Sequence, residues 1–199
     1  MGIATMKVYD FDDTIFLGDS TRAFYFYCLK QQPMLLRYLP KQLFGAGLYI
    51  VKAIPKTRFK EYFFSFLRGI PDVEELIESF WQSHFERIQS WYRNQCAPED
   101  LVISASPEFL LAPACRMLAI QPPIASRVDK KTGLYTGENC KGKEKVLRYR
   151  SVFGETVIEE FYSDSLSDAP LAELAVRSFL VKAGTINPWP DRSSLVESV

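Results

Sequence analysis

Met6-Lys7-Val8-Tyr9-Asp10-Phe11-Asp12-Asp13-Thr14 decides how the rest of the chain is read. It is a short β-type run that ends on acidic residues. From about Asp19 to Ala97 the pattern becomes helical. Leu76, Ile77, Phe80, Trp81, Phe85, Ile88, Trp91 and Tyr92 recur at three- and four-residue steps, which predicts one buried face of a long helix. Pro71 followed by Asp72, Glu74 and Glu75 suits its start, since acidic residues favour a first turn. Pro33, Pro40 and Pro55 punctuate the earlier part and predict three further helices.

After Pro98 strands and helices alternate. Leu101-Val102-Ile103 reads as a strand closed by Ser104, and residues 107–118 as a helix with proline near its first turn. Residues 126–136 predict a hairpin turned by Lys131-Thr132-Gly133. A helix is expected over 142–150, a strand over 158–162 ending at Ser163-Asp164, a helix over 169–175 and a strand over 178–181. Asn187-Pro188-Trp189-Pro190 is expected to end the fold. This alternation implies a parallel sheet with helices on both faces. The expected fold class is α/β: a Rossmann-like parallel-sheet core, residues 1–16 and 98–199, with an inserted all-helical cap, residues 17–97.

Composition excludes several chemistries. Lysine plus arginine equals aspartate plus glutamate at 24 each, which gives no electrostatic case for nucleic acid. Cys28, Cys96, Cys115 and Cys140 are scattered without a C-x-x-C pair, as expected of reduced thiols in a cytoplasmic protein. The one histidine, His84, sits in an amphipathic helical stretch and reads as a structural residue; a multi-histidine metal site is excluded. The most apolar segment, residues 33–54, is interrupted by Arg37, Lys41 and Lys52, so no transmembrane span is expected. Chemistry falls to carboxylates, hydroxyls and lysines.

Those residues gather at strand ends, where open α/β sheets bind ligands. The first strand runs into Asp10, Asp12 and Thr14, the second ends at Ser104-Ala105-Ser106, and a later one ends at Ser163-Asp164 with Asp168 beyond. Lys141, Lys143 and Lys145 lie between the last two. Asp10, Asp12, Asp164 and Asp168 brought together would repel unless a cation neutralised them. A hard divalent ion is the natural solution, and Mg²⁺ fits best beside a phosphate. Metal, lysine and serine hydroxyls form a receptor for a phosphoryl group. Asp10 can then attack phosphorus while Asp12 protonates the leaving oxygen and later activates water. Taken singly, each element has an ordinary structural role: Ser104 as a helix cap, the lysines as a solvated face, residues 164–168 as a turn.

At these residues the chain resembles the haloacid dehalogenase superfamily, in its phosphoserine-phosphatase-like branch (subfamily IB). The motif D-x-D-x-T matches Asp10-Phe11-Asp12-Asp13-Thr14, a strand ending in serine matches Leu101-Val102-Ile103-Ser104, and an aspartate pair four apart matches Asp164 and Asp168. The resemblance implies a Mg²⁺-dependent phosphatase working through an aspartyl-phosphate. It assigns Asp10, Asp12, Ser104 and Lys145 to catalysis, with Lys141 the alternative lysine. Thr14, Asp19, Ala105, Ser106 and Lys141 are expected to contact substrate, and Asp10, Asp12, Asp164 and Asp168 to hold metal. Asp13 stands where relatives often carry glycine. Asp19 stands where true phosphoserine phosphatases read substrate with a glutamate, so a different phosphorylated metabolite is expected.

The expected cap is rich in aromatics, from Phe24 through Phe66. Aromatic stripes at helical spacing usually pack a core. Mixed with Arg37, Lys41 and Lys52 they also suit a membrane surface, which would make the substrate a lipid phosphate and hold the protein at the inner face of the membrane. A catalytically silent phosphate-binding module and a phosphotransferase are the competing functions on the same scaffold.

Overall fold

The computed structural model describes residues 5–190. Its centre is strand β1, Thr5–Tyr9, in which Val8 and Tyr9 are wholly buried. Parallel strands flank it: β2, Leu101–Pro107, on one side and β4, Val157–Ser163, on the other. A short β3, Ile124–Ser126, extends the sheet beyond β2, and β5, Ala175–Lys182, extends it beyond β4. The last strand, β6, Thr185–Pro188, runs antiparallel to β5, giving the order β3-β2-β1-β4-β5-β6. Strand order reverses at β1, so the carboxyl ends of β1, β2 and β4 open onto one crevice.

The expected α/β class is present, and most expected elements stand near their places. Helix α6, Glu108–Met117, follows β2, α7, Lys143–Phe153, precedes β4, and α8, Ala169–Ala172, precedes β5. Strand β5 starts three residues earlier than its apolar run suggested, and β6 was not expected at all. Its turn uses Ala183 and Gly184, both at positive φ, in place of the Asn-Gly or Asp-Gly pair that announces a two-residue hairpin. Residues 126–136 form a looser hairpin than predicted, with a single bridge between Val128 and Tyr135.

Between β1 and β2 the chain is helical: α1, Ser20–Gln31; α2, Leu39–Ile50; α3, Lys56–Phe63; α4, Val73–His84; and α5, Ser90–Arg93. Asp19 caps α1 through the Arg22 N–H, and Asp72 caps α4 through the Glu75 N–H. The long helix expected from Leu76 to Tyr92 is broken. It ends at His84, passes through a 3₁₀ turn, and Ile88 bridges Phe16. The cause is the segment after Asp12, whose main chain needs partners. Leu17 N–H donates to the Arg87 carbonyl at 2.8 Å and Gln89 N–H donates to the Ile15 carbonyl at 2.8 Å. Those bonds outrank continued helix.

One apolar cluster runs from the sheet into the helices. Tyr9 stacks on Tyr162 at 4.9 Å, and Tyr162 on Phe179 at 4.8 Å, across three strands. Trp81 of α4 meets Phe11 and Phe16 edge-on and donates its indole N–H to the Leu110 carbonyl at 2.7 Å. Phe24, Tyr25, Phe64 and Phe66 are buried in the same cluster, the ordinary packing role of these aromatics. The four cysteines are free, and no described helix is long and apolar enough to cross a membrane. Because Trp81 locks helices to sheet, Trp81→Ala is expected to lower the unfolding free energy by about 3–5 kcal/mol. Urea denaturation measures this, and a loss below about 1 kcal/mol would mean the seam is loosely packed.

Candidate active site

The crevice holds a cavity of about 530 Å³. Its floor begins where β1 ends. Asp10 N–H donates to the Tyr162 carbonyl at 2.8 Å, holding the strand end in register, and the Phe11 carbonyl then accepts from Thr14, Ile15 and Phe16 in a tight turn. Asp13 occupies the left-handed region at φ 54°, which glycine enters freely and aspartate tolerates. Thr14 is fully buried and accepts from the Asp164 N–H at 2.9 Å through its hydroxyl. It ties the loop after β1 to the loop after β4. Expected as a substrate contact, it does not line the cavity.

Lys145, in the first turn of α7, is buried between two carboxylates. Its Nζ lies 2.8 Å from Asp10 Oδ1 and 2.6 Å from Asp168 Oδ2. Ser163 Oγ donates to the same Asp168 oxygen at 2.9 Å. Burial alone would lower the Lys145 pKa; Asp10 and Asp168 outweigh it and hold the ammonium above its ordinary range. Lys141 lies outside α7, ahead of Gly142, with its side chain exposed at the cavity wall. The two lysines do not share a helix face, because the helix starts after Lys141.

Asp12 is held differently. Its Oδ1 accepts from the Ser20 N–H at 2.7 Å, and its Oδ2 accepts from the Ser106 hydroxyl. Ser104 does not cap α6, where Pro107 takes the cap position; its Oγ accepts from the Ser106 N–H at 3.2 Å. Asp19, Ser104, Ala105 and Ser106 all line the cavity beside Asp10, Asp12, Asp164 and Asp168. Burial pushes Asp10 up to about 7, with Lys145 opposing and Asp168 adding to the rise. Burial pushes Asp12 up to about 6, with Asp19 adding to it. Burial also raises Asp164, with Lys182 opposing it.

The four expected metal ligands are not gathered around one point. Among the described residues no cluster of three or more acidic, histidine or cysteine side chains is arranged to hold an ion. The donor chemistry nevertheless fits a hard cation. Asp10 and Asp164 line the same cavity, and burial raises both above the ordinary carboxylate range with Asp168 adding to each, an accumulation of negative charge that a proton or cation relieves.

Residues the sequence reading missed come from α3 and the loop before α7. Lys60 Nζ donates to the Ala105 carbonyl at 3.1 Å and to Asn139 Oδ1 at 2.7 Å, bridging helices and sheet over the cavity. Burial, with Lys56 adding to it, lowers Lys60 to about 8. Lys56, Arg22, Phe59 and Phe63 complete that wall. The only hint in sequence was the alternation of lysine and aromatics in residues 56–63.

The chain matches the haloacid dehalogenase-like hydrolases over residues 8–173. It belongs to that family. The resemblance read from the motifs thus holds, and the chain is an enzyme of the hydrolase class with the fold of phosphoserine-phosphatase-like proteins. It is 28% identical to protein CicA of Caulobacter vibrioides, the alignment covering 85% of this chain and 82% of that one. A Bordetella pertussis protein of unknown function superposes with a TM-score of 0.74 at 19% identity, over 99% of this chain and 96% of the other. A phosphoserine phosphohydrolase-like protein from Francisella tularensis gives 0.51 at 16% identity, over 88% and 86%.

Charge at the floor sets a pH dependence. Asp10 and Asp12 have folded pKa values raised above the unfolded value of 3.8. The stability they contribute is therefore present in full below about pH 4 and lost as pH rises through 6 to 7. In metal-free protein Tm is expected to fall over that window, and Mg²⁺ to raise Tm more at pH 8 than at pH 5. A Tm independent of both variables would show that these carboxylates carry no unrelieved repulsion.

Proposed function

We propose that the chain is a Mg²⁺-dependent phosphomonoester hydrolase acting through an aspartyl-phosphate, with residues 17–97 as a cap over a core formed by residues 1–16 and 98–199. The outermost core residues, 1–4 and 191–199, lie outside the described structure. The observation that carries this reading is the buried Asp10-Lys145-Asp168 array facing a cavity lined by Asp12 and Ser104.

An Asp10 carboxylate oxygen attacks phosphorus, the bond to the ester oxygen breaks, and the departing oxygen takes a proton from Asp12. Water then attacks the phosphoryl group, gives its proton to Asp12, and releases inorganic phosphate with Asp10 restored. Lys145 and the Ser104 hydroxyl neutralise and bind the phosphoryl oxygens, and Ser106 orients Asp12. Asp168 is assigned to positioning Lys145, since its Oδ2 is already taken by Lys145 and Ser163. Both Asp12 oxygens are likewise engaged, which leaves Asp10 and Asp164 as the side chains that would hold Mg²⁺. Bound there, the ion supplies Lewis-acid stabilisation of the phosphoryl charge.

The substrate is a phosphorylated small molecule or a lipid phosphate, with Asp19, Ala105, Ser106 and Lys141 on its walls. The description of the Francisella neighbour as phosphoserine phosphohydrolase-like supports a phosphorylated substrate. A cavity wall carrying Lys56, Lys60, Lys141 and Arg22 favours one with a further negative charge.

Turnover of an aryl phosphate is expected to require Mg²⁺ and to vanish in Asp10→Asn, while Asp12→Asn loses ~10²–10⁴-fold. Wild-type protein inert toward a panel of phosphomonoesters with Mg²⁺ present would instead favour the silent phosphate-binding module. Lys60 is cationic below about pH 8 and neutral above, so KM for the preferred substrate is expected to rise through that pH. Lys60→Met should raise KM at pH 7 and flatten the profile; an unchanged KM would remove Lys60 from substrate binding.

A further inference from the structure

Helix α2 is built inside out. Its buried residues are Gln42 and Gly45. Gln42 accepts from the Tyr25 hydroxyl at 2.7 Å and donates to the Phe63 carbonyl at 2.8 Å. Gly45 lies so close to Tyr62 that a Cβ would stand 2.3 Å from that residue's own Cβ. Most apolar side chains point the other way, and Phe44, whose ring meets Tyr62 edge-on at 6.0 Å, stays largely exposed. Leu43 is 62% exposed, Phe44 60%, Ile50 77% and, just past the helix, Val51 71%. At 3.6 residues per turn, Leu39, Leu43 and Ile50 share one stripe with Phe44 and Val51 beside it. Met34 and Leu36, in the 3₁₀ turn packed against α2, are also exposed. A helix facing water carries the opposite arrangement. Scattered exposed apolar residues are ordinary; a continuous row is not.

Charge identifies the occupant. The chain is neutral overall, yet from Ser20 to Lys60 it has eight lysines and arginines and no aspartate or glutamate; Arg22, Lys56 and Lys60 of these line the cavity and Arg58 pairs with Glu61. Arg37, Lys41 and Lys52, all exposed, flank the apolar row. An apolar protein partner or a second copy of the chain gives no reason to exclude every acidic residue from this stretch. An anionic bilayer does: its apolar interior takes the leucine and isoleucine side chains while its headgroups meet the basic rim. The row also backs directly onto the cavity wall. Tyr49 of α2 stacks on Phe59 of α3 at 5.1 Å, and Phe59 lines the cavity with Lys56 and Lys60.

We propose that the outer face of α2 and the turn before it form a docking surface for an anionic lipid bilayer, holding the cavity at the membrane. The docking depends on this surface and not on the chemistry proposed above. Cosedimentation with phosphatidylglycerol-containing vesicles, against pure phosphatidylcholine vesicles, tests it. Binding to the anionic vesicles that weakens with salt is expected, and Leu43→Glu with Ile50→Glu should reduce it by at least ~tenfold. Lys41→Gln with Lys52→Gln should cost ~tenfold or more while sparing the apolar face. Both variants should keep the thermal unfolding and aryl-phosphate turnover of the parent, which separates lost docking from lost folding. Wild-type binding no stronger than that of the glutamate variant would overturn the proposal. So would a dimer, seen by light scattering, that the glutamate variant dissociates and that ignores vesicles. Vesicle binding by a protein without phosphatase activity would support the docking and count only against the catalytic reading.

Discussion

A buried ammonium between two carboxylates organises this molecule. Removing Lys145 from water costs several kcal/mol on its own. Asp10 and Asp168 offset that cost, and each arrives from a different strand end, β1 and the loop after β4. The three-way contact therefore fixes α7 against the sheet at the point where strand order reverses. It also leaves the floor short of positive charge. Lys145 pairs with Asp10 and Asp168 alone, while Asp12 and Asp164 line the same cavity, and burial raises Asp10, Asp12 and Asp164 above the ordinary carboxylate range. Under the proposed function, a floor so charged would repel a phosphate dianion until a cation entered, which would link substrate binding to cation binding through charge balance.

What was legible in the sequence was local. A strand that stops at Asp10 and another that stops before Asp164 declare themselves within a few residues, because strand and turn preferences act at that range, whereas β2 runs three residues past its expected end at Ser104, to Pro107. The capping of α4 by Asp72 was legible for the same reason. The break after His84 was not. It depends on main-chain partners from residues 15–17, some seventy positions away, and the apolar period continues through it undisturbed. Strand β6 was hidden by an Ala-Gly turn that lacks the usual signature.

The same distinction runs through the site. The choice between Lys141 and Lys145 rested on resemblance, since both lie in one basic run. In the structure their positions part where α7 begins: only Lys145 is carried inward by the helix. Lys60 and Asn139 were invisible because they meet each other from 79 positions apart. Asp13 shows how a departure from the family pattern is absorbed. A left-handed turn that glycine fills elsewhere is held here by the Gly18 N–H donating to Asp13 Oδ1 at 3.1 Å.

If the chain is the proposed hydrolase, its specificity has to come from the helices. The floor is made of residues that any phosphoryl group would engage, whereas the opposite wall is cationic and aromatic. Lys60 bonds to the Ala105 carbonyl and Asn139, so the helical segment is latched to the core by a group that also faces the cavity. A substrate anion that drew Lys60 away would have to replace both of those hydrogen bonds, and one that failed to do so would leave a half-buried cation underpaired. The lowered pKa of Lys60 follows from that placement: with backbone and amide oxygens as its hydrogen-bond acceptors and Lys56 close by, the ammonium is held by dipoles, with Asp12 and Asp19 giving only secondary support.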